Sequence, residues 1–173
     1  MIRVKTWCRA DFAGGTLDIW PLGLLHPGAR TINVALDLAV DVRLELRPRG
    51  FLVRQDGESV EAGTLAELAA SPGGALVAAV AAAERMSPCT VEIASASPRG
   101  AGLGASSALA VALLAAAEVQ RHGALSRTAA ERAAVARDIE HRVREPVPAL
   151  RARARPPLAL RIALDGDPDL PTI

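Results

Sequence analysis

Hydrophobic and polar residues alternate most regularly in the segment 31–47. Its second half places apolar side chains at Val40, Val42, Leu44 and Leu46, with one charged residue between each neighbouring pair. A period of two predicts a β-strand with one buried face and one solvated face. The same reasoning predicts strands over 2–8, 51–54 and 89–96, with turns at 11–16, 49–50 and 55–58.

Helical patterns follow in the second half of the chain. Thr64-Leu65-Ala66-Glu67 has the form of a capping box, which predicts a helix beginning near Thr64. Further helices are predicted over 75–86, from Ser106 or Ser107 to about 122, and over 128–144. We therefore expect one domain of strands and helices over 1–145. The Pro- and Arg-rich segment 146–173 is expected to be a divergent tail with one short strand at 158–164.

The charge balance and the rare residue types exclude several classes of protein. The 173 residues include 20 Lys+Arg and 19 Asp+Glu, a net charge of +1, so no nucleic-acid partner is expected. Lys5 is the only lysine, which excludes a Walker P-loop because that motif needs a lysine after its glycines. Cys8 and Cys89 are too few for a disulfide framework or a zinc site, and we expect both to be reduced and buried.

The sequence predicts neither a membrane span nor a secretory leader. The longest uncharged apolar run, 108–117, is too short to cross a bilayer, and no charged and then apolar leader opens the chain. We therefore expect a soluble, cytoplasmic protein with no membrane partner. Aromatic residues make up only 2% of the chain, so the core should be aliphatic.

The strongest candidate for chemistry is a glycine-rich segment between a predicted strand and a predicted helix. It has the sequence Pro98-Arg99-Gly100-Ala101-Gly102-Leu103-Gly104-Ala105-Ser106-Ser107. Glycines let backbone N–H groups approach a ligand closely, and a helix start adds unpaired donors and partial positive charge. These features favour an anion site, most naturally for phosphate, to which the serine hydroxyls could add ligands for phosphate or Mg²⁺.

Two other interpretations of this segment stay open. The glycines could serve only a tight connection between a strand and a helix. The stretch 100–105 also fits the dinucleotide pattern Gly-x-Gly-x-x-Ala, but a Rossmann fold needs an acidic residue at the end of the next strand. The candidate for that residue, Glu118, lies inside a predicted helix, so the sequence disfavours a Rossmann fold.

Two motifs resemble those of the GHMP kinases, the family named for galactokinase, homoserine kinase, mevalonate kinase and phosphomevalonate kinase. Pro98-x-x-x-Gly102-Leu103-Gly104-x-Ser106-Ser107-Ala108 resembles the family's phosphate-binding motif. Arg9-Ala10-Asp11-Phe12-Ala13-Gly14-Gly15-Thr16-Leu17-Asp18 resembles the substrate motif of its sugar-kinase branch, especially of heptose-phosphate and fucose kinases. The resemblance implies a ribosomal protein S5 domain 2-like α+β domain, with a mixed sheet and helices packed on one face.

The resemblance also implies ATP, Mg²⁺ and transfer of the γ-phosphate to a hydroxyl group of a sugar or a sugar phosphate. The ATP phosphates would be wrapped by Pro98, Gly100, Ala101, Gly102, Leu103, Gly104, Ala105, Ser106 and Ser107. Mg²⁺ would be held by Ser106 and Glu140, and charge near the transferred phosphate would be neutralised by Arg9. Substrate contacts would come from Asp11, Gly14, Gly15, Thr16 and Asp18.

Simpler interpretations of three of these residues stay open. Glu140 could be a solvated residue paired with Arg144 at i+4, Arg9 a surface strand residue, and Asp18 the cap of a turn.

The sequence departs from the family pattern after Glu140. The family has a Gly-x-x-x-Gly-x-x-Asp segment there, whose aspartate is the usual base, whereas this chain has no glycine or aspartate until Asp165. We also expect the family's C-terminal domain to be missing from this chain. We therefore expect a truncated kinase with weak or no activity alone, and self-association through the apolar face that the second domain would cover. A non-catalytic nucleotide- or phosphate-binding module derived from such a kinase is the alternative.

Overall fold

Six strands and four helices make up the described part of the chain. The computed structural model describes residues 1–15, 25, 26, 28, 30–98, 100–144 and the backbone of 160–164. In chain order the elements are β1 Ile2–Ala13, β2 Ile32–Leu46, β3 Phe51–Gln55, β4 Glu58–Ala62, α1 Leu65–Ala70, α2 Ala75–Glu84, β5 Cys89–Ser95, α3 Ala105–His122, α4 Ala129–Arg144 and β6 Leu160–Leu164.

The strands form one mixed sheet in the order β4-β3-β5-β2-β1-β6. β3 runs parallel to β5, and the other neighbouring strands are antiparallel. The return strand predicted after the turn at 49–50 exists as β3, but it does not lie beside β2, because β5 occupies that position. A parallel pair needs a long crossover, and the helices α1 and α2 supply it between β3 and β5.

The alternating pattern in β2 corresponds to a buried and a solvated face. Val40, Val42 and Leu44 are at most 1% exposed, whereas Leu46 at the end of the strand is 69% exposed. On the opposite face of the sheet, Arg3 and Asp41 form a two-bonded ion pair with a shortest distance of 2.6 Å. The sheet therefore has one apolar face and one charged face, as period-two alternation predicts.

The helices cover the apolar face, as predicted. α3 is the central helix, since it contacts both β1 and β2 and all its residues from Ala108 to Val119 except Leu109 are buried. Seven of its 18 residues are alanines, whose small side chains let the helix lie close to the sheet. No helix of the described ranges is long and apolar enough to span a membrane.

Several local predictions are confirmed in detail. Thr64 and Glu67 form the capping box at the start of α1, with the Glu67 N–H donating to Thr64 Oγ1 at 3.2 Å. Cys8 and Cys89 are both free and buried, and burial raises the pKa of the Cys89 thiol to about 11. The short strand predicted in the tail is present as β6, which pairs with residues 2–6 of β1. The rest of 145–173 lies outside the described residues.

The first strand is longer than the sequence pattern predicts. Asp11, Phe12 and Ala13 were expected in a glycine turn, yet they continue β1 and pair with the start of β2. Register shifts after Trp7 and after Asp11 let the two strands stay paired over this length. Phe12 and Ile32 are 74% and 64% exposed at this end of the sheet. Self-association through an exposed apolar face stays a prediction.

Candidate functional site

The glycine-rich segment joins β5 to α3, as predicted, and its backbone conformation requires glycine. Gly100, Gly102 and Gly104 have φ angles of 77°, 71° and 70°, a region that other residues enter only at a cost. A Cβ atom added to Gly100 or Gly102 would meet no atom within 4 Å. Both glycines therefore border open space, so backbone conformation rather than crowding selects them, and a ligand has room beside them.

The start of α3 differs from the prediction. The residue at the N-cap is Gly104, and Ser106 and Ser107 lie inside the first turn instead of capping it. No side chain caps this end, and the first turn holds no acidic residue. The helix start therefore presents backbone N–H donors and the positive end of the helix dipole, which together favour an anion.

The two serine hydroxyls bind a carboxylate from the next helix. Ser106 Oγ donates to Glu140 Oε1 at 2.5 Å, and Ser107 Oγ donates to Glu140 Oε2 at 2.7 Å. Glu140 is half-buried and accepts hydrogen bonds from both hydroxyls, so it is more than a solvated side chain, whereas the alternative pairing with Arg144 involves a side chain outside the described residues. The structure thus brings Ser106 and Glu140 together, 34 residues apart in sequence, directly after the glycine loop.

Oxygen atoms of this kind suit Mg²⁺, which prefers hard ligands and keeps places for phosphate and water. Within the described ranges, no three His, Cys, Asp or Glu side chains converge on one point. The described residues therefore offer one carboxylate and two hydroxyls here. Such a set fits a magnesium ion that takes its remaining ligands from a nucleotide phosphate.

Arg9 lies beside the loop rather than on an open surface. Its backbone N–H donates to the carbonyl oxygen of Leu103 at 3.0 Å, which ties β1 to the loop. Its Cγ atom lies 3.6 Å from the position that a Cβ atom on Gly104 would take. The side chain is 24% exposed, and its Nε atom lies 3.1 Å from Asp11 Oδ1. The Arg9 side chain therefore passes beside Gly104 and Asp11, at the edge of the predicted anion site.

The two glycines of the substrate motif each lie close to another group, Gly15 to the Asp11 side chain and Gly14 to the backbone of Arg30. A Cβ atom on Gly15 would lie 2.7 Å from Asp11 Oδ2, and one on Gly14 would lie 2.3 Å from the carbonyl oxygen of Arg30. Both glycines are thus required for close approach. Thr16 and Asp18, the other predicted substrate contacts, lie outside the described residues.

One polar cluster of the helical layer was missed by the sequence analysis, which considered Glu118 only as a dinucleotide contact. Glu118 is fully buried and binds Arg132 through two hydrogen bonds of 3.0 Å, one to each carboxylate oxygen. The backbone N–H groups of Ser126 and Arg127 donate to the same carboxylate at 2.9 and 3.1 Å. A charged residue on the buried face of each of two consecutive helices is the signal that could have revealed the pair.

The environment of Glu118 keeps it ionised. Burial alone would raise the pKa of this carboxyl group, but the hydrogen bonds from Arg132 and from the two backbone N–H groups outweigh it and lower the pKa to about 2. Arg127 extends the cluster to α2, since its Nη1 atom lies 3.0 Å from Glu84 Oε1 and 3.3 Å from Glu118 Oε1. The cluster therefore joins three helices through charged groups.

Comparison with known proteins identifies relatives of this domain. Residues 73–148 match the family model described as GHMP kinases N terminal domain. This match includes the glycine loop, both serines and Glu140. None of the curated proteins matches the sequence.

Solved structures share the fold. A D-glycero-D-manno-heptose 1-phosphate kinase from Bacteroides thetaiotaomicron superposes with a TM-score of 0.68 at 20% identity, covering 82% of this chain and 48% of that one. The mevalonate kinase of Methanococcus jannaschii superposes with a TM-score of 0.62 at 14% identity, covering 83% of this chain and 47% of that one. The phosphomevalonate kinase of Streptococcus pneumoniae was solved with phosphomevalonate and AMPPNP. It superposes with a TM-score of 0.59 at 19% identity, covering 79% of this chain and 42% of that one. The chain thus spans about half the length of these proteins.

Proposed function

We propose that this chain carries a GHMP kinase N-terminal domain, as the match over residues 73–148 supports, and that its glycine loop binds ATP together with Mg²⁺. The bound nucleotide would donate its γ-phosphate to a hydroxyl group of a small molecule, in the cytoplasm, where ATP is available. The observation that carries the proposal is the contact of Glu140 with Ser106 and Ser107 at the uncapped start of α3. A hard-oxygen metal site and an anion site are adjacent there, and phosphoryl transfer uses both.

Each group of the site has a defined task in this proposal. Backbone N–H groups of residues 100–107 would bind the phosphates, and the helix dipole of α3 would favour their negative charge. Ser106 and Glu140 would hold Mg²⁺, with Ser107 supporting the same carboxylate. The metal ion, when bound, neutralises charge on the transferred phosphoryl group. Arg9 would supply a further positive charge at the edge of the loop, where Asp11 orients it.

A sugar or a sugar phosphate is the proposed acceptor. Two observations support it: the segment 9–18 resembles the substrate motif of sugar kinases, and one of the similar structures is a heptose 1-phosphate kinase. Aspartate carboxylates suit this task because they accept hydrogen bonds from sugar hydroxyls. Asp11 and Asp18 are the candidates in this chain.

A matched pair of glycine variants tests nucleotide binding. Gly102 and Gly57 have φ angles of 71° and 82°, and neither would place a new Cβ atom within 4 Å of another atom. Alanine therefore adds similar backbone strain at both sites, about 1–2 kcal/mol. Only G102A should weaken binding of Mg-AMPPNP in calorimetry. We expect a loss of at least about tenfold, because displaced hydrogen bonds to a charged group contribute roughly 1.5–3 kcal/mol. Equal affinities of G102A and G57A would contradict the proposed site.

A coupled kinase assay with a panel of sugars and sugar phosphates tests turnover. A non-catalytic nucleotide-binding module is the second candidate, and one observation favours it: no aspartate stands between Glu140 and Asp165, where the family pattern has its base. Mg-ATP that raises the melting temperature without any phosphorylated product would support this second candidate. Rapid turnover with one member of the panel would exclude it.

A further inference from the structure

The packing of α3 against α4 leaves their relative position along the helix axes weakly specified by shape. α3 contains seven alanines, and α4 contains alanines at five of its 16 positions. Helices usually set their register by fitting ridges of large side chains into grooves. Alanine makes these ridges shallow, so shape specifies the register less strongly than larger side chains would, and among the described side chains of α4 Ile139 is the one large apolar residue that is fully in the core. A directional polar contact adds to what shape alone specifies.

Polar contacts stand at both ends of this helix pair. Near the end of α3, Glu118 binds Arg132 of α4, and at the start of α3, Ser106 and Ser107 bind Glu140. Ser107 and Glu118 are 11 residues apart, about three helical turns, so they lie on one face of α3. The two helices are therefore antiparallel and bound at each end.

The two ends differ in strength and in accessibility. Arg132 and Glu118 are 1% and 0% exposed, and the planar guanidinium group binds both carboxylate oxygens, which fixes direction as well as distance. Glu140 is only half-buried and lies at the proposed metal site, where one carboxylate oxygen would bind Mg²⁺ while Ser107 keeps its hydrogen bond to the other. The buried end is thus able to hold register while the other end binds a ligand.

On this basis we propose that Glu118 and Arg132 are positioning residues, which fix α4 on α3 and thereby hold Glu140 against Ser106 and Ser107. The consequence for metal binding depends on the function proposed above, whereas the positional role does not. Neither residue touches the nucleotide site. Both act through the position of α4.

The test uses the double variant E118L/R132M in the full chain. Replacing both partners avoids an unpaired buried charge, because Arg127 keeps its contact with Glu84, and only the backbone N–H groups of Ser126 and Arg127 lose an acceptor. The matched control is R3M/D41L, which removes the two-bonded ion pair on the opposite face of the sheet. Circular dichroism and urea unfolding confirm that both variants fold.

The first measurement needs no ligand. S106A/S107A is combined with each double variant, and the shift of the urea midpoint is compared between backgrounds. Distant sites are ordinarily additive, so the control should leave the effect of S106A/S107A unchanged. We expect E118L/R132M to abolish most of that effect, because the serines would already have lost Glu140. Additive midpoint shifts would overturn the positional role, whatever the chain binds.

The second measurement compares AMPPNP affinity with Mg²⁺ and with EDTA. In E118L/R132M we expect the Mg²⁺-dependent gain in AMPPNP affinity to fall by roughly 10-fold, as happens when a metal ligand loses its supporting contacts. The AMPPNP affinity measured in EDTA should stay unchanged. If Mg²⁺ raised the AMPPNP affinity of this variant as much as that of the wild-type protein, the proposal would be overturned. A third outcome is that Mg²⁺ does not raise the AMPPNP affinity of the wild-type protein, while the urea midpoint shifts are non-additive. That outcome would confirm the positional role and refute the proposed metal site instead.

Discussion

The buried carboxylate of Glu118 makes the stability of the domain sensitive to acid in a way that can be calculated. Its pKa falls from a usual 4.5 to about 2 in the folded protein. A group whose pKa is lower in the folded state stabilises that state at pH values above the unfolded pKa. This contribution is lost as the pH falls from about 4.5 towards 2.

The magnitude follows from the shift. A difference of about 2.5 pKa units, at 1.36 kcal/mol per unit, corresponds to about 3 kcal/mol of unfolding free energy at neutral pH. Glu118 is fully buried, so solvent screens this contribution little. The unfolding free energy of a small domain is only about 5–15 kcal/mol in total, so the loss of this one contribution is measurable.

E118L/R132M is the perturbation that removes this contribution, because carboxyl groups outside the cluster of Glu84, Glu118, Arg127 and Arg132 titrate equally in both proteins. We expect unfolding free energies within a few kcal/mol of each other at neutral pH, since an apolar pair can replace a buried ion pair at little cost. Between about pH 5 and pH 3, measured by urea unfolding, the wild-type protein should lose stability faster than the variant. Parallel loss in the two proteins would refute the reasoning.

Three further predictions concern separate parts of the molecule. T64A removes the capping box of α1 and should lower the unfolding free energy by about 1 kcal/mol; an unchanged urea midpoint would show that the cap is irrelevant. Cys89, with a pKa of about 11, should resist a disulfide reagent until the protein is denatured; prompt labelling of C8S protein in the native state would contradict its burial. R9Q should weaken Mg-AMPPNP binding more than R3Q in calorimetry, because Arg9 lies beside the loop; equal effects would remove Arg9 from the site.

Local signals were sufficient to predict most of the elements. The alternation around Val42, the capping box at Thr64 and the left-handed glycine that ends α3, Gly123, each act within a few residues, so β2 and the helices could be placed from sequence. The order of strands could not, because β5 enters between β2 and β3 through contacts distant in sequence. The continuation of β1 to Ala13 was missed because pairing with β2 outweighs the local turn signal.

The candidate site shows the same division. The loop could be located from its glycines, and the φ angles at Gly102 and Gly104 agree with the need for that residue type. Whether Ser106 would cap α3 or bind a carboxylate could not be decided locally, because the deciding partner, Glu140, is 34 residues away. The family resemblance suggested Ser106 and Glu140 as partners, and the fold brings them within hydrogen-bonding distance. Their role in metal binding remains a proposal.

The buried ion pair between α3 and α4 compensates for the small side chains of the alanine-rich helix at the centre of the domain. A helix with small side chains lies close to the sheet, and this closeness brings its first turn beside the loop and Arg9. Such a helix gives up the large ridges that would otherwise set its register with α4. Two charges removed from water cost more than an apolar pair would, so stability alone does not explain Glu118 and Arg132. If the pair instead fixes the position of Glu140 through α4, both its burial and its two-bonded geometry are explained.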